Sequence, residues 1–354
     1  MSAPLDPHVS AVIPVRGRAA LLRRCLTSLM AQDRPPDAII VVEDGVEDGI
    51  GDGGRALTEV VAAFERARLL RLPRWSGAAA ARNAGVAASP EGGAPGSGLI
   101  WFLDSDSVAD DPGALAAAVA LMARLPDVGA VGAEVVRHDG GPRQVQIKHL
   151  QPNGSAHTAL LAPEDVRELA CDYLPTCACL VRRSAFFRVG GFDPAWRFLS
   201  EDTDLCAKLW RWGWRVLADG RCGVLHDQGH GQGQGDLDLM LRNELRFALL
   251  HLPARATPAL PLHQLRFALD PRTRARLASG APGVMKHLGS VPEVTEAAER
   301  SPLSLARVGG RYALGLARAW GWSGLRAREI LAARRALDAA APLPARFPLR
   351  ADET

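Results

Sequence analysis

Short apolar runs alternate along the first half of the chain with stretches of helical spacing. Val9 to Val15 (VSAVIPV) is apolar and β-branched, the pattern of a buried strand. Arg18 to Ala31 spaces Leu21, Leu22, Cys25, Leu26, Leu29 and Met30 as one face of a helix. Pro35-Pro36 breaks it, and Ala38 to Val42 (AIIVV) reads as a second strand with Glu43-Asp44-Gly45 at its end. A Gly/Asp turn from Asp48 to Gly54, a helix over Arg55 to Arg66 and a strand at Ala67 to Leu72 follow. An Ala-rich helix then spans Ala78 to Ala88, and Leu99 to Leu103 (LIWFL) is a strand ending on Asp104-Ser105-Asp106. A helix over Gly113 to Leu125 and a strand over Val128 to Val136 complete this half. The alternation predicts an α/β fold, a mostly parallel sheet flanked by helices. In such sheets ligands gather at the carboxyl ends of strands, where both acidic motifs fall.

Beyond Arg137 the pattern is mixed. Leu180 to Gly191 passes from strand to helix, Thr203 to Gly213 is helical and Trp214 to Leu217 is a strand. The stretch from His226 to Gly235 (HDQGHGQGQG) lacks apolar side chains and reads as a mobile loop. Asp236 to Leu252 is helical; after Pro253, helices are expected near Arg272 to Leu277, Leu303 to Trp320 and Leu325 to Ala340. The predicted division is a large α/β domain at 1–252, with halves at about 9–136 and about 137–252. A helical, Arg-rich extension occupies 253–354.

Composition supports a folded protein: 47% of the 354 residues are hydrophobic, ample for a core. The net charge of +3 is too small to point to nucleic acid, and no nucleic-acid partner is expected. Charge is nonetheless uneven, with ten Arg against Glu329 and Asp338 between Arg300 and Arg350. The basic helices at 303–340 suit either solvated arginines on a helical pair packed against the catalytic domain, the preferred reading, or peripheral contact with an anionic membrane. The six scattered cysteines lack CxxC spacing and read as buried thiols. The N-terminus shows no secretory pattern and no apolar run reaches membrane-spanning length, so a cytoplasmic location is expected, with the inner membrane face as the site of any peripheral contact.

Candidate chemistry begins with Asp104-Ser105-Asp106, whose carboxylates suit a hard divalent cation; an ordinary solvated turn is the simpler rival. Glu201-Asp202-Thr203-Asp204 precedes a helix. Asp202 or Thr203 suits a cap of that helix, but capping does not require three acids, and a carboxylate at an acceptor hydroxyl serves as a general base. His226 is a candidate metal ligand beside carboxylates, with His230 its rival. Gly77 and Ala81-Arg82-Asn83-Ala84-Gly85 form a small-residue turn into a helix carrying one Arg, suited to phosphate or to an ion pair. No P-loop or dinucleotide fingerprint is present.

In order and content these motifs resemble the family 2 glycosyltransferases of the GT-A fold. VIPVRGRAALLRRCLTSLMAQ resembles the family's opening, with Pro14 and Gln32 in place, and Ile39 to Gly45 with Glu47-Asp48 resembles its VVDDGSxD segment. GAAAARNAG, FLDSD, VGGFD (Val189 to Asp193) and EDTDLCAKLWRWGW (Glu201 to Trp214) follow in sequence. Glu43 replaces the first Asp of the DDG run and Val46 the usual Ser. The resemblance implies an inverting transfer from a nucleotide-diphosphate sugar to an acceptor hydroxyl. It implies a donor site at Asp44, beside Pro14 and Val15, with Arg82 near the diphosphate or base and Asp104 at the ribose or metal. It also implies Mn²⁺ or Mg²⁺ held by Asp104, Asp106 and His226, Asp202 as catalytic base and Glu201 positioning the acceptor. The acceptor itself, whether glycan, lipid-linked, peptide or small molecule, has no motif. The alternatives are a sugar-phosphate nucleotidyltransferase, whose Gly-rich N-terminal signature is missing, and a non-catalytic nucleotide-sugar-binding protein, which would not need the acids and His226 together.

Overall fold

The computed structural model describes residues 7–46, 55–91, 96–137, 141–150, 156–226, 237–253, 260, 262, 264 and 302–341. Its elements are β1 (Val9–Val15), α1 (Ala19–Met30), β2 (Ala38–Asp44), α2 (Arg55–Ala62), β3 (Ala67–Leu72), α3 (Ala78–Ala88), β4 (Leu99–Leu103) and β5 (Ser107–Val108). They continue with α4 (Ala114–Arg124), β6 (Val128–Arg137), β7 (Arg143–Leu150), β8 (Ala156–Leu161), β9 (Leu169–Ala170), β10 (Ala178–Arg182), α5 (Arg183–Arg188), α6 (Glu201–Arg211) and β11 (Arg215–His226). Helices α7 (Leu237–His251), α8 (Pro302–Leu325) and α9 (Ala327–Ala340) close the series. The helix expected near Arg272 to Leu277 and the turn at Asp48 to Gly54 lie outside the described residues. None of the helices described is long and apolar enough to cross a membrane.

The chain divides into two compact units, residues 1–147 with 160–230 and residues 148–159 with 231–353. Helices α7, α8 and α9 fall together in the second unit.

The first unit is built on a sheet of strand order β3-β2-β1-β4-β10-β6-β11-β5. Strands β3, β2, β1 and β4 are parallel neighbours, as the alternation of strands and helices predicts. The sheet is then mixed: β10 runs antiparallel to both β4 and β6, and β5 runs antiparallel to β11. The alternation of strands and helices predicts a mostly parallel sheet, and nothing in the apolar run of β10 signals its reversed direction. Because β10 opposes both of its neighbours, β6 runs the same way as β4, and β11 is parallel to β6. The carboxyl ends of β1, β2, β4, β6 and β11 therefore share one edge.

Several predicted boundaries move, those of α2 and β11 among them. α2 stops at Ala62, four residues early, because the chain tightens into three-residue turns: Ala63 N–H donates to Val60 O and Phe64 N–H to Val61 O. β11 runs to His226 instead of stopping at Leu217. Asp219-Gly220-Arg221 reads as a strand-ending turn but forms a bulge, with pairing to β6 resuming at Gly223 opposite Ala133. The Asp219 carboxylate accepts from the Arg221 backbone and guanidinium, which supplies the polar partners the bulged residues need.

The core lies between the sheet and α1, α2 and α4, where Leu22, Leu26, Leu29, Leu57, Val60 and Leu115 are buried against strand residues such as Ile13 and Leu103. α3 lies against β1 and β2 at a point where only glycine fits. A Cβ on Gly85 would stand 2.5 Å from Val12 Cγ1 and 3.0 Å from Val42 Cγ2. Both valines are β-branched and stiff, so they cannot swing away cheaply.

In the second unit, Leu241, Leu245, Ala248 and Leu252 form a core with Tyr312, Leu316 and Ala319. Arg334 of α9 donates to the carbonyls of Leu249 and Leu252 at the end of α7, satisfying acceptors that a helix terminus leaves open. The pair α8–α9 thus packs on α7, and Arg318 pairs with Asp238 at 2.7 Å.

Gly85→Val should overpack the α3–sheet contact and lower stability by about 1–3 kcal/mol, read from urea unfolding followed by circular dichroism. An unchanged midpoint would mean that α3 has room the packing denies.

Candidate functional site

The acidic motifs, an arginine and a histidine meet at the shared carboxyl edge. β4 ends at Leu103 and delivers Asp104 and Asp106 directly. His226 arrives from more than a hundred residues away by sheet pairing: β11 lies antiparallel to β5 with Leu225 opposite Val108 and His226 opposite Ser107. That register sets the imidazole next to Asp106. His226 Nε2 is 3.4 Å from Asp106 Oδ1 and 3.9 Å from Asp104 Oδ2. It is the last residue of β11 and not the first of a loop; His230 and the rest of the expected mobile loop lie outside the described residues.

Ligand atoms of Asp104, Asp106 and His226 lie within 4.8 Å of one another. Two carboxylate oxygens and an imidazole nitrogen suit Mn²⁺ or Mg²⁺, so this set could hold such an ion. His226 also belongs to a second group, with Glu134 and Cys177. Burial pushes the Cys177 thiol up to about 12, which keeps it protonated at neutral pH and a poor ligand. Burial alone would lower the His226 imidazole, but contacts with Cys177, Asp106 and Glu134 outweigh it and hold the ring well above its ordinary value. Burial would likewise raise Asp106, and the hydrogen bond and charge of His226, with Arg18 3.3 Å away, bring it below the usual carboxylate range.

Arg82 joins the two acidic motifs. It sits on α3 with only 3% of its side chain exposed; Nη2 donates to Asp104 Oδ1 at 2.6 Å and Nη1 to Glu201 Oε1 at 2.8 Å. Of the two roles open to it, the described contacts are ion pairs. Burial alone would favour the neutral guanidine, but the two carboxylates dominate and raise its pKa, so the charge is held.

Glu201 and Asp202 open α6. The N-cap is Ser200, left-handed and without a side-chain cap, so neither Asp202 nor Thr203 occupies the capping position. Asp202 instead accepts from the Thr203 backbone at 2.7 Å and from the Thr203 hydroxyl at 3.2 Å. Burial first, then the adjacent Glu201 carboxylate, push Asp202 up to about 7. Asn83 of α3 exchanges two hydrogen bonds with the backbone of Phe192, and Lys208 of α6 donates to the neighbouring Gly191 carbonyl at 2.6 Å while pairing with Asp204 of its own helix at 2.9 Å. The motifs at Arg82-Asn83, Gly191-Phe192 and Glu201 to Asp204 therefore interlock.

The remaining predicted residues lie at the ends of β1 and β2, with Pro14 opposite Val42 and Val15 opposite Glu43. Asp44 is buried, and its carboxylate accepts from Ser76 N–H, the Ser76 hydroxyl and Gly77 N–H at 2.7–2.8 Å. Its described partners thus fix the turn into α3. At that turn Gly77 has φ +91° and a Cβ would stand 2.3 Å from the Arg197 carbonyl oxygen, so no other residue fits.

Sequence reasoning missed Glu134, Cys177, Arg18 and Ser76. Glu134 carried a usable signal: it is the one charged residue in the apolar run from Val128 to Val136. The others match no spacing rule, because a register or a loop path brings them to the site.

The profile of the family described as Glycosyl transferase family 2 matches residues 10–189, half of the chain. The pre-mycofactocin glycosyltransferase of Mycobacterium tuberculosis is 31% identical over 229 residues, 64% of this chain and 44% of that one. The chain thus spans less than half the length of this relative. The N-acetylglucosaminyl-diphospho-decaprenol L-rhamnosyltransferase of the same organism is 29% identical over 235 residues, 60% of this chain and 74% of that one. Among solved structures, a mannosyltransferase from Pyrobaculum calidifontis, in complex with GDP-Man and Mn²⁺, aligns with a TM-score of 0.51 at 16% identity, covering 94% of this chain and 87% of that one. GalNAc-T7 with UDP, GalNAc and Mn²⁺ aligns at 0.55 and 15% identity, covering 88% and 55%. These structures share its fold, the GT-A-type sheet flanked by helices, and by the profile match the chain belongs to glycosyl transferase family 2.

Proposed function

We propose that the protein transfers a sugar from a nucleotide-diphosphate donor to an acceptor hydroxyl by a single inverting displacement, with Asp202 as general base. The observation that carries this reading is the buried Arg82, which ties the first acid of the Asp104–Asp106 motif to the acid beside Asp202. Donor-side and acceptor-side carboxylates are thereby held across one small space at the sheet edge.

Each residue then has a task. Pro14, Val15 and the end of β2 at Asp44 border the position where the family resemblance puts the nucleobase. Asp104, Asp106 and His226 would hold a divalent cation, Mn²⁺ or Mg²⁺. When bound, that ion offsets charge gathering on the leaving diphosphate. Asp202 takes the acceptor proton, and a value near 7 suits a base working at neutral pH. Glu201, which would position the acceptor, has one oxygen fixed by Arg82. No enzyme nucleophile is needed, because the hydroxyl attacks the anomeric carbon directly and the nucleotide diphosphate departs from the opposite face. The mycobacterial relatives named as glycosyltransferases and the neighbours carrying GDP-Man or UDP with Mn²⁺ support this class of donor.

A thermal-shift series of GDP-, UDP- and dTDP-sugars with Mn²⁺ should identify the donor by stabilisation, since a bound ligand favours the folded state by mass action. With that donor, Asp202→Asn should keep binding and lose roughly 10²–10⁴-fold in turnover, measured as release of nucleotide diphosphate. Unchanged turnover would remove Asp202 from the role of base.

The wild-type rate should also depend on pH. Asp202 acts as a carboxylate, and its raised pKa means that this form is lost as pH falls through about 7. kcat/KM should therefore climb across that region and level off above it. A plateau already reached at mildly acid pH would contradict the assignment.

Arg82→Met leaves the buried Glu201 and its partner Asp104 without their cation, and should cost about 3–5 kcal/mol in denaturant unfolding. Arg82→Lys should fall between, because an ammonium lacks the fork that reaches both carboxylates. Equal stability of all three proteins would deny the bridge its structural weight.

A further inference from the structure

Glu134 lies on β6 with 4% of its side chain exposed, flanked by Ala133, Val135 and Val136 in a strand buried on both faces. Burying a carboxylate is costly unless it is partnered, so its contacts indicate what it is for. Its Oε1 is 2.9 Å from His226 Nδ1. The sheet produces this meeting: Glu134 pairs with Val224 across the parallel β6–β11 ladder, and His226 lies two residues on, along the same face of β11. The bulge between Ala218 and Gly223 sets that register.

The two ring nitrogens of His226 thus face different partners. Nδ1 meets Glu134, while Nε2 faces Asp106 and Asp104 at 3.4 and 3.9 Å. A neutral imidazole has one donor and one acceptor nitrogen, and a carboxylate fixes the proton on the side it occupies. We propose that Glu134 is a positioning residue for the cation site: it accepts the Nδ1–H of His226, locks the ring plane, and leaves the Nε2 lone pair aimed at Asp104 and Asp106. The inference rests on the cation site proposed above. Histidine ligands commonly need such a partner, whose loss weakens metal binding. Free imidazole in solution selects neither the ring orientation nor this tautomer; the buried carboxylate supplies both.

The test uses the metal itself, so it needs no acceptor. Mn²⁺ is titrated into the full chain, alone and with GDP or UDP, and free Mn²⁺ is read by electron paramagnetic resonance. Wild type should bind, and Asp106→Asn should bind far more weakly. Glu134→Ala should weaken binding roughly 10–100-fold. Glu134→Gln should recover most of it, because the amide carbonyl accepts the same N–H. A role confined to folding would lower the melting temperature of Glu134→Ala and leave Mn²⁺ affinity intact, which overturns the proposal, as does a Glu134→Gln protein as weak as Glu134→Ala. A wild-type chain without Mn²⁺ affinity would instead remove the cation site and the inference with it. Nitrogen-15 shifts of His226 in the Mg²⁺-loaded wild type give a reading that needs no variant: a protonated Nδ1 is expected, and a protonated Nε2 would overturn the assignment.

Discussion

A single buried cation organises this site. Arg82 is almost wholly removed from water, and a guanidinium there is tolerable only if its charge and its N–H groups are matched. Asp104 and Glu201 match it with one fork arm each. Their carboxylates come from the end of β4 and the start of α6, which the guanidinium joins. The guanidinium also suppresses the repulsion these acids would otherwise exert across the cleft. Its planar fork sets where each oxygen points, which a point charge could not do.

The position of Arg82 depends in turn on a steric constraint. α3 reaches the sheet closely enough to present the arginine because Gly85 has no Cβ to meet Val12 and Val42. At its other end the helix is fixed by Asp44, which holds the Ser76-Gly77 turn, and by Gly77, which admits the backbone of Arg197. Asp44, Gly77, Arg82, Asn83 and Gly85 thus form one device for placing a helix. Each of them has a packing duty here, beside any contact with a donor.

The sequence made the first half of the fold legible because each element there announces itself locally. Strands β1, β2 and β4 are short, largely apolar runs, and α1 and α3 begin and end within a residue of their patterns. The acidic motifs were visible because they stop those strands abruptly. What stayed hidden was non-local. The direction of β10 has no local signature. The extension of β11 to His226 was concealed by Asp219-Gly220-Arg221, whose turn chemistry forms a bulge and not an end. Glu134 was passed over because a lone acid in an apolar strand has no spacing partner; its partner is 92 residues away and defined only by register.

These hidden features are linked, and the link accounts for the layout of the site. A strand ending at Leu217 could not carry an imidazole to Asp106, and a β11 without the bulge would pair with β6 in another register. The four residues between Ala218 and Gly223 shift the ladder so that Val224 opposes Glu134 and His226 reaches beyond it to β5. A one-residue slip would turn His226 to the opposite face of the sheet, away from Glu134 and from both aspartates. The bulge therefore does for the histidine what Gly85 does for the arginine. In each case a backbone feature without chemistry of its own decides where a charged side chain stands, and the chemistry of the edge follows from that placement.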